Sequence, residues 1–387
     1  MIFEKKYGLP LYIYVMLWIL WHVQSIFVTS SFYSLIFYIP FALMTLVYSF
    51  KTIINVRMPI TLRTMALFFI VMLCYGFALF IANDAVGQDN TSFLKSILGA
   101  IGPVFTFYYF AREGYIDGNK IYVLFLLLII TSILEFNANQ VKILMTENRR
   151  YDEVTNNFAY DILGLFPFLF LMTKRPLIQF LSLSVIAYFV ITGFKRGAIL
   201  IFILLLLVFI FYVLKYSKNR FLTVLLLATL FVVGFNLLVD LYNENLYFQY
   251  RLQATQDGDS SQRDLIYSTL LTHYLGNNNL LQIIFGEGAY HTVNIGTGLK
   301  AHNDWLELLI DCGFFGAILY LIYWISYMVD LYKVKENNRV YYILLSCFIF
   351  TFLRTFFSMS FTYIPLSVSL IMGYGFAAIK SPEIIKK

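Results

Sequence analysis

Long apolar blocks alternate with short polar or basic turns along almost the whole chain. A helix needs about 20 such residues to cross the hydrocarbon with every backbone group paired internally. Twelve blocks answer to that, at 11–28, 32–50, 62–82, 93–111, 120–136, 158–173, 176–193, 197–214, 221–242, 304–330, 340–357 and 361–380. The pattern predicts an all-α, polytopic membrane protein of about 12 transmembrane helices, a single transmembrane domain over 1–387. It also isolates one long polar segment, 243–303, as a large external loop. Asp257-Gly258-Asp259-Ser260-Ser261, Asn277-Asn278-Asn279 and the glycines from Gly286 to Gly298 give that segment turn chemistry. Within it, Leu265, Ile266, Leu270 and Leu271 recur near helical spacing, which predicts a short amphipathic helix over 262–275 that lies against the bilayer. A loop of this length is more often functional than idle.

Composition excludes a soluble fold: 60% of the 387 residues are hydrophobic, 13% are charged, and the mean hydropathy is +0.74. Charge placement orients the chain, because cytoplasmic loops carry the lysine and arginine excess. Lys5 and Lys6, Lys51 with Arg57 and Arg63, Arg112 with Lys120, Lys174 with Arg175, Lys215 with Lys218 and Arg220, Lys333 with Lys335 and Arg339, and Lys380 with Lys386 and Lys387 fall in alternate turns. Both termini are therefore expected in the cytoplasm, and 243–303 outside it. The first apolar run lacks a small-residue cleavage site and is expected to stay as a span. Cys74, Cys312 and Cys347 sit in or beside spans and form neither a disulfide framework nor a C-x-x-C site. Gly286-Glu287-Gly288 lacks the setting of a nucleotide loop. Nothing in the chain suggests a nucleic-acid partner. Glu244 to Gln249 coincides with a potyviral protease recognition hexapeptide and is assigned no role.

The basic residues that break the alternation are Lys95, Lys142, Arg149, Arg150, Lys195, Arg196, Arg251, Arg263, Lys300 and Arg354. Lys95, Lys142, Arg149 and Arg150 suit headgroups or nearby acids. Lys195-Arg196-Gly197 lies at the outer edge of a span, and Arg263 follows Ser260-Ser261 in the loop. An arginine fork binds phosphate through bidentate, charge-assisted bonds and never deprotonates. A span-end arginine also snorkels to lipid phosphates with no further role. His302-Asn303 stands where the polar loop meets an apolar helix, followed after nine residues by Gly313 and then Gly316. Asp304 and Glu307 mark an acidic helix start near Asn303 or Asp304, whose positive end faces His302. A neutral imidazole there accepts a proton from a hydroxyl, the work of a general base. Gly313 and Gly316, one turn apart, allow close contact with a neighbouring span.

His302-Asn303, nine residues, Gly313, two residues, Gly316 resembles the signature of the O-antigen ligase and O-antigen polymerase superfamily. Arg196-Gly197 and the serine-preceded Arg263 resemble its basic elements. The resemblance implies a GT-C-type glycosyltransferase fold in the bacterial inner membrane. It also implies an undecaprenyl-diphosphate-linked oligosaccharide as substrate, in contact with membrane lipids, with a chain-length regulator as protein partner. In that frame Arg196 and Arg263, with Lys195, Arg251 and Arg354, hold the diphosphate. His302 deprotonates the attacking hydroxyl, Asn303, Gly313 and Gly316 build the motif, and no metal or other cofactor takes part. The acceptor is either the incoming lipid-linked repeat unit, as in a polymerase, or lipid A core, as in a ligase. The chain's Tyr, Phe, Asn, Ile and Lys bias favours the first. A flippase or transporter of the same lipid suits the span count, but no paired halves are evident. His273, Glu287, His291, His302 and Asp304 share the external region without a His-Glu-x-x-His or His-x-His pair. The early Asn83-Asp84 and Asp89 keep a metal-dependent transferase open.

Overall fold

The computed structural model describes residues 8–27, 31–54, 58–82, 92–147, 155–217, 220–257, 263–295, 298 and 300–380. Lys5 and Lys6, Asp84 and Asp89, Arg149 and Arg150, and Ser260-Ser261 lie outside them. Among the described residues every regular element is a helix. Eight are long and apolar enough to cross a bilayer: Ser34–Ile53, Ile60–Ala82, Ser92–Arg112, Gly118–Met145, Arg196–Tyr216, Arg220–Glu244, Gly313–Lys333 and Arg339–Phe357. Leu9–Gln24, Ala159–Leu171, Pro176–Thr192 and Leu366–Ile379 are apolar but shorter. The protein is thus a polytopic helical membrane protein.

Three of the twelve blocks are not the regular spans that their hydropathy predicts. In 158–173, the helix Ala159–Leu163 gives way to a tighter 3-10 segment, Phe166–Leu171, and residues 159–172 are buried in protein. Pro167 lacks the amide that would continue the first helix. The 304–330 block is two helices, Asp304–Asp311 and Gly313–Lys333. They part where Gly313 adopts φ +64°, and a Cβ there would lie 2.5 Å from the backbone of Ile284 and Gly286. The last block becomes helical only at Leu366, after Pro365, because the preceding amides of Ser360 and Phe361 bind Asp304 instead.

In lipid, helices gain little from burying apolar surface against one another, so close packing and polar contacts hold the bundle. The Ser92–Arg112 helix is central and packs on Leu366–Lys380, Ser31–Ile53 and Ile60–Ala82. Gly373 brings two of these backbones together, since a Cβ there would meet the Tyr108 nitrogen at 2.7 Å and the Val104 oxygen at 2.8 Å. Thr52 Oγ1 donates to the Phe105 carbonyl at 2.9 Å, and Ser49 Oγ to that of Gly102 at 3.1 Å. Asp330, buried on Gly313–Lys333, accepts from both the amide and the hydroxyl of Thr61 at 2.9 Å, closing the first turn of the 60–82 helix.

Helices Leu246–Gln256, Arg263–Gly276 and Leu280–Phe285 and a 3-10 turn, His291–Asn294, fill the polar region. The Arg263–Gly276 helix falls where amphipathic spacing predicts one, with Ile266 and Leu270 buried and Leu265 and Leu271 exposed. The hexapeptide belongs to the fold: Asn245 accepts from the Phe248 amide, Tyr247 bonds Thr155, and both rings pack on Phe194.

Candidate functional site

The short helix Asp304–Asp311 organises the site. Asn303 caps it, its Oδ1 accepting from the amides of Trp305 (3.0 Å) and Leu306 (3.3 Å), so the helix starts where the sequence predicts. Asp304, Glu307 and Asp311 recur at helical spacing and point into protein, and each binds a different piece of chain. Asp304 accepts from the Tyr320 hydroxyl at 2.6 Å and from the amides of Ser360 and Phe361 at 2.8 and 3.1 Å. Glu307 accepts from the Thr292 hydroxyl and the Ala301 amide, both at 2.8 Å. Asp311 accepts from the amides of Tyr290 (2.8 Å) and Thr292 (3.3 Å). Burial raises all three carboxyls, Asp304 to about 7, against the lowering effect of the hydrogen bonds it accepts. The charge of Glu307 raises Asp311 further.

His302 precedes this helix in the left-handed region, φ +51°, and its side chain is exposed. Enough protein still surrounds the ring that desolvation lowers its pKa from 6.5, and the charges of Lys195, Arg263 and Lys300 lower it further. Each of these effects favours the neutral imidazole, whose lone pair is then available. The fold thus brings to bear on one histidine three cations drawn from a stretch of more than a hundred residues. Lys300 also sits over the Tyr290 ring at 4.0 Å.

Lys195 and Arg196 open the Arg196–Tyr216 helix directly after Phe194, whose φ of +50° turns the chain sharply. Gly197 is required there, because a Cβ would lie 2.3 Å from the Tyr160 hydroxyl and 2.9 Å from Phe357 Cβ. Arg263 opens its own helix and donates through Nη2 to the Phe357 carbonyl at 3.0 Å, matching a cation to the carbonyl end of the 338–357 helix. Arg354 lies deeper. It is 4% exposed, donates to the Tyr363 carbonyl at 2.9 Å and stacks between the Tyr160 and Tyr363 rings, each 5.0 Å away. The Tyr363 hydroxyl in turn bonds Asp161. For Arg251 only the backbone, in the Leu246–Gln256 helix, is described.

Gly313 and Gly316 do not serve the span contact expected of them. Gly313 admits the backbone of Ile284 and Gly286, and a Cβ on Gly316 would strike Cys312 Cβ at 2.4 Å, in the bend between the two helices. Both glycines shape the junction that carries His302's helix. Sequence reasoning also missed Tyr160, Asp161, Tyr363 and Thr292. The spacing of Asp304, Glu307 and Asp311 was a legible signal of an inward polar face, whereas Asp161 and Tyr363 are 202 residues apart and leave no local trace.

The arrangement defines a class, a helical membrane protein whose polar cap places a neutral histidine among cations. Residues 181–321 match the model of the O-antigen ligase family, Wzy_C, which bears out the resemblance to the O-antigen ligase and polymerase superfamily. The matched segment contains Lys195, Arg196, Arg263, His302, Gly313 and Gly316, and excludes Arg354 and the Tyr160-Asp161 pair. No curated protein matches the chain.

Proposed function

We propose that the protein is a membrane glycosyltransferase that polymerises lipid-linked oligosaccharide units. The observation that carries this reading is the convergence of Lys195, Arg263 and Lys300 on neutral His302, within the segment that matches the O-antigen ligase family. The donor is a glycan on undecaprenyl diphosphate. Arg196, Arg263 and Lys195 hold its diphosphate and offset the negative charge that grows on the leaving group. Arg251 is a further candidate for that contact, and Arg354, enclosed by Tyr160 and Tyr363, positions the wall behind it. His302 Nδ1 or Nε2 takes the proton of the acceptor hydroxyl, whose oxygen attacks the anomeric carbon as the bond to the diphosphate breaks. In this reading the cap faces away from the cytoplasm, as the alternation of basic turns in the sequence suggests, with the Arg263–Gly276 helix on the bilayer surface and within reach of a chain-length regulator.

A second acceptor, lipid A core, would make the protein a ligase with the same chemistry, and the matching family, described as O-antigen ligase, is compatible with either. The two differ in the hydroxyl supplied, so an assay offering each acceptor separately decides between them.

His302→Ala should lower transfer by about 10²- to 10⁴-fold while the purified protein keeps its melting temperature. Near-normal rates would remove His302 from the mechanism. Arg196→Lys and Arg263→Lys should each slow turnover by about tenfold or more although the charge is kept, because an ammonium cannot form the bidentate contact. Wild-type rates in both would assign these arginines to the lipid headgroups. Omitting magnesium and manganese should leave the rate unchanged, and a strict requirement for either would return attention to Asp84 and Asp89.

A further inference from the structure

The chain carries a second cluster of chemically capable side chains that the transfer reaction does not use. His273 ends the Arg263–Gly276 helix, Glu287 follows Leu280–Phe285, and His291 begins the 3-10 turn. His273 Nε2 lies 2.8 Å from Glu287 Oε1, and His291 Nε2 lies 2.8 Å from Oε2. One nitrogen or oxygen from each of the three residues falls within 4.8 Å of the others. We propose that His273, Glu287 and His291 bind one divalent ion of the zinc class.

Several independent features fit an ion. Both rings present the same nitrogen to the same carboxylate, so a modest rotation converges two imidazole lone pairs and a carboxylate oxygen on one point. Ligand atoms around a tetrahedral zinc, at about 2.0 to 2.1 Å from the metal, stand about 3.4 Å apart, and those of the cluster, within 4.8 Å of one another, need only a small contraction to reach that spacing. The carboxylate is held from behind, as a ligand should be: Asn277 Nδ2 donates to Oε1 at 2.9 Å, and the Glu287 amide bonds the Ile310 carbonyl at 2.9 Å. Glu287 is 9% exposed while the rings are 37% and 33% exposed, so the acid is shielded but the site is open. A cavity of about 370 Å³, lined by Tyr75, Glu287, Tyr290 and His291 among others, adjoins it and leaves room for water in the remaining coordination positions.

Two nitrogens and one oxygen suit zinc, cobalt or nickel, whereas magnesium and calcium prefer all-oxygen shells. The linear spacing hides the site. Glu287 and His291 are four apart, but no helix joins them. Positive φ at Gly286 (81°), Gly288 (108°) and Tyr290 (64°) folds the chain so that both meet His273. The ion would tie the 263–276 helix to a loop whose Gly288 and Tyr290 amides grip Asp311, and so brace the helix that begins after His302. Its function is structural, and the site stands whichever acceptor the enzyme uses and whether or not His302 is the base.

The test uses the full chain purified in detergent, stripped with EDTA, dialysed, and titrated calorimetrically with zinc chloride or magnesium chloride. Cobalt chloride serves as an optical probe. One equivalent of zinc should bind with a Kd of about 1 μM or tighter and raise the melting temperature by about 3 °C or more at saturation. Millimolar magnesium should do neither, and cobalt should give the intense visible bands of a tetrahedral site. Glu287→Gln, His273→Gln and His291→Gln should each weaken zinc by at least about tenfold, judged only in variants that elute as the wild type does. His22→Gln, which removes the histidine on the first helix, should leave zinc binding unchanged and reports on adventitious sites. Absence of zinc binding below 1 mM, or wild-type affinity in Glu287→Gln and either folded histidine variant, overturns the proposal. No glycan-transfer assay enters, so a failure here is distinct from a failure of the transferase reading.

Discussion

The 92–112 and 366–380 helix pair and the described part of the 286–311 segment are held in different ways. In the helix pair, Gly373 lets one backbone rest on another, and few polar bonds are made, because lipid supplies no partner for an unpaired group. In the cap, three buried carboxylates on one short helix each draw amides from irregular chain, at Ser360 and Phe361, at Ala301, and at Tyr290 and Thr292. Irregular backbone carries unpaired donors, and a carboxylate satisfies more than one of them. Close packing with scattered polar contacts therefore secures the membrane bundle, while a concentration of hydrogen bonds to acids secures the part that holds His302.

The comparison is broken most severely by Gly373→Leu, which drives a side chain into the Tyr108 and Val104 backbone. Overpacking against main chain that cannot rotate away should cost about 3 kcal/mol or more and remove most monodisperse protein, read by size-exclusion chromatography in detergent. If Gly373→Leu elutes and melts as the wild type does, close backbone contact is not what holds the bundle.

Glu307→Ala tests the other half. It leaves the buried Ala301 amide and Thr292 hydroxyl without their acceptor, a local cost of about 1 to 3 kcal/mol. The variant should keep the melting temperature of the bundle, become sensitive to limited proteolysis within 286–301, and lose transfer activity. Glu307→Gln, which retains an acceptor, should be milder. Equal protease resistance in wild type and Glu307→Ala would mean that the cap is held by something other than its acids.

The smallest effect sharpens the electrostatics of the cap. A general base works when neutral, so the rate falls as pH drops through the His302 pKa, which lies below 6.5 because of desolvation and of Lys195, Arg263 and Lys300. Lys195→Met removes one of those charges. The acid limb of kcat/KM should move upward toward the ordinary histidine value, whatever happens to the maximal rate. An unmoved limb would show that Lys195 does not act on His302.

Hydropathy alone indicated that this chain is helical and spans a membrane, because an unbroken apolar run of about 20 residues pairs its backbone in lipid as a helix, whereas barrel strands are shorter and alternate. Local chemistry likewise placed a helix start near Asn303 or Asp304, whereas His302, Arg196 and Arg263 were singled out by the resemblance to the O-antigen ligase and polymerase superfamily. The breaks at Gly164-Pro167, Cys312-Gly313 and Pro365 were not legible from apolar length. At Gly313 the cause is the approach of Ile284 and Gly286, which no window around residue 313 contains. The Arg354 stack, the Asp161 and Tyr363 pair and the His273, Glu287 and His291 cluster depend on contacts between segments distant in the chain. Only the tertiary fold, by closing those loops, decides which distant charges meet.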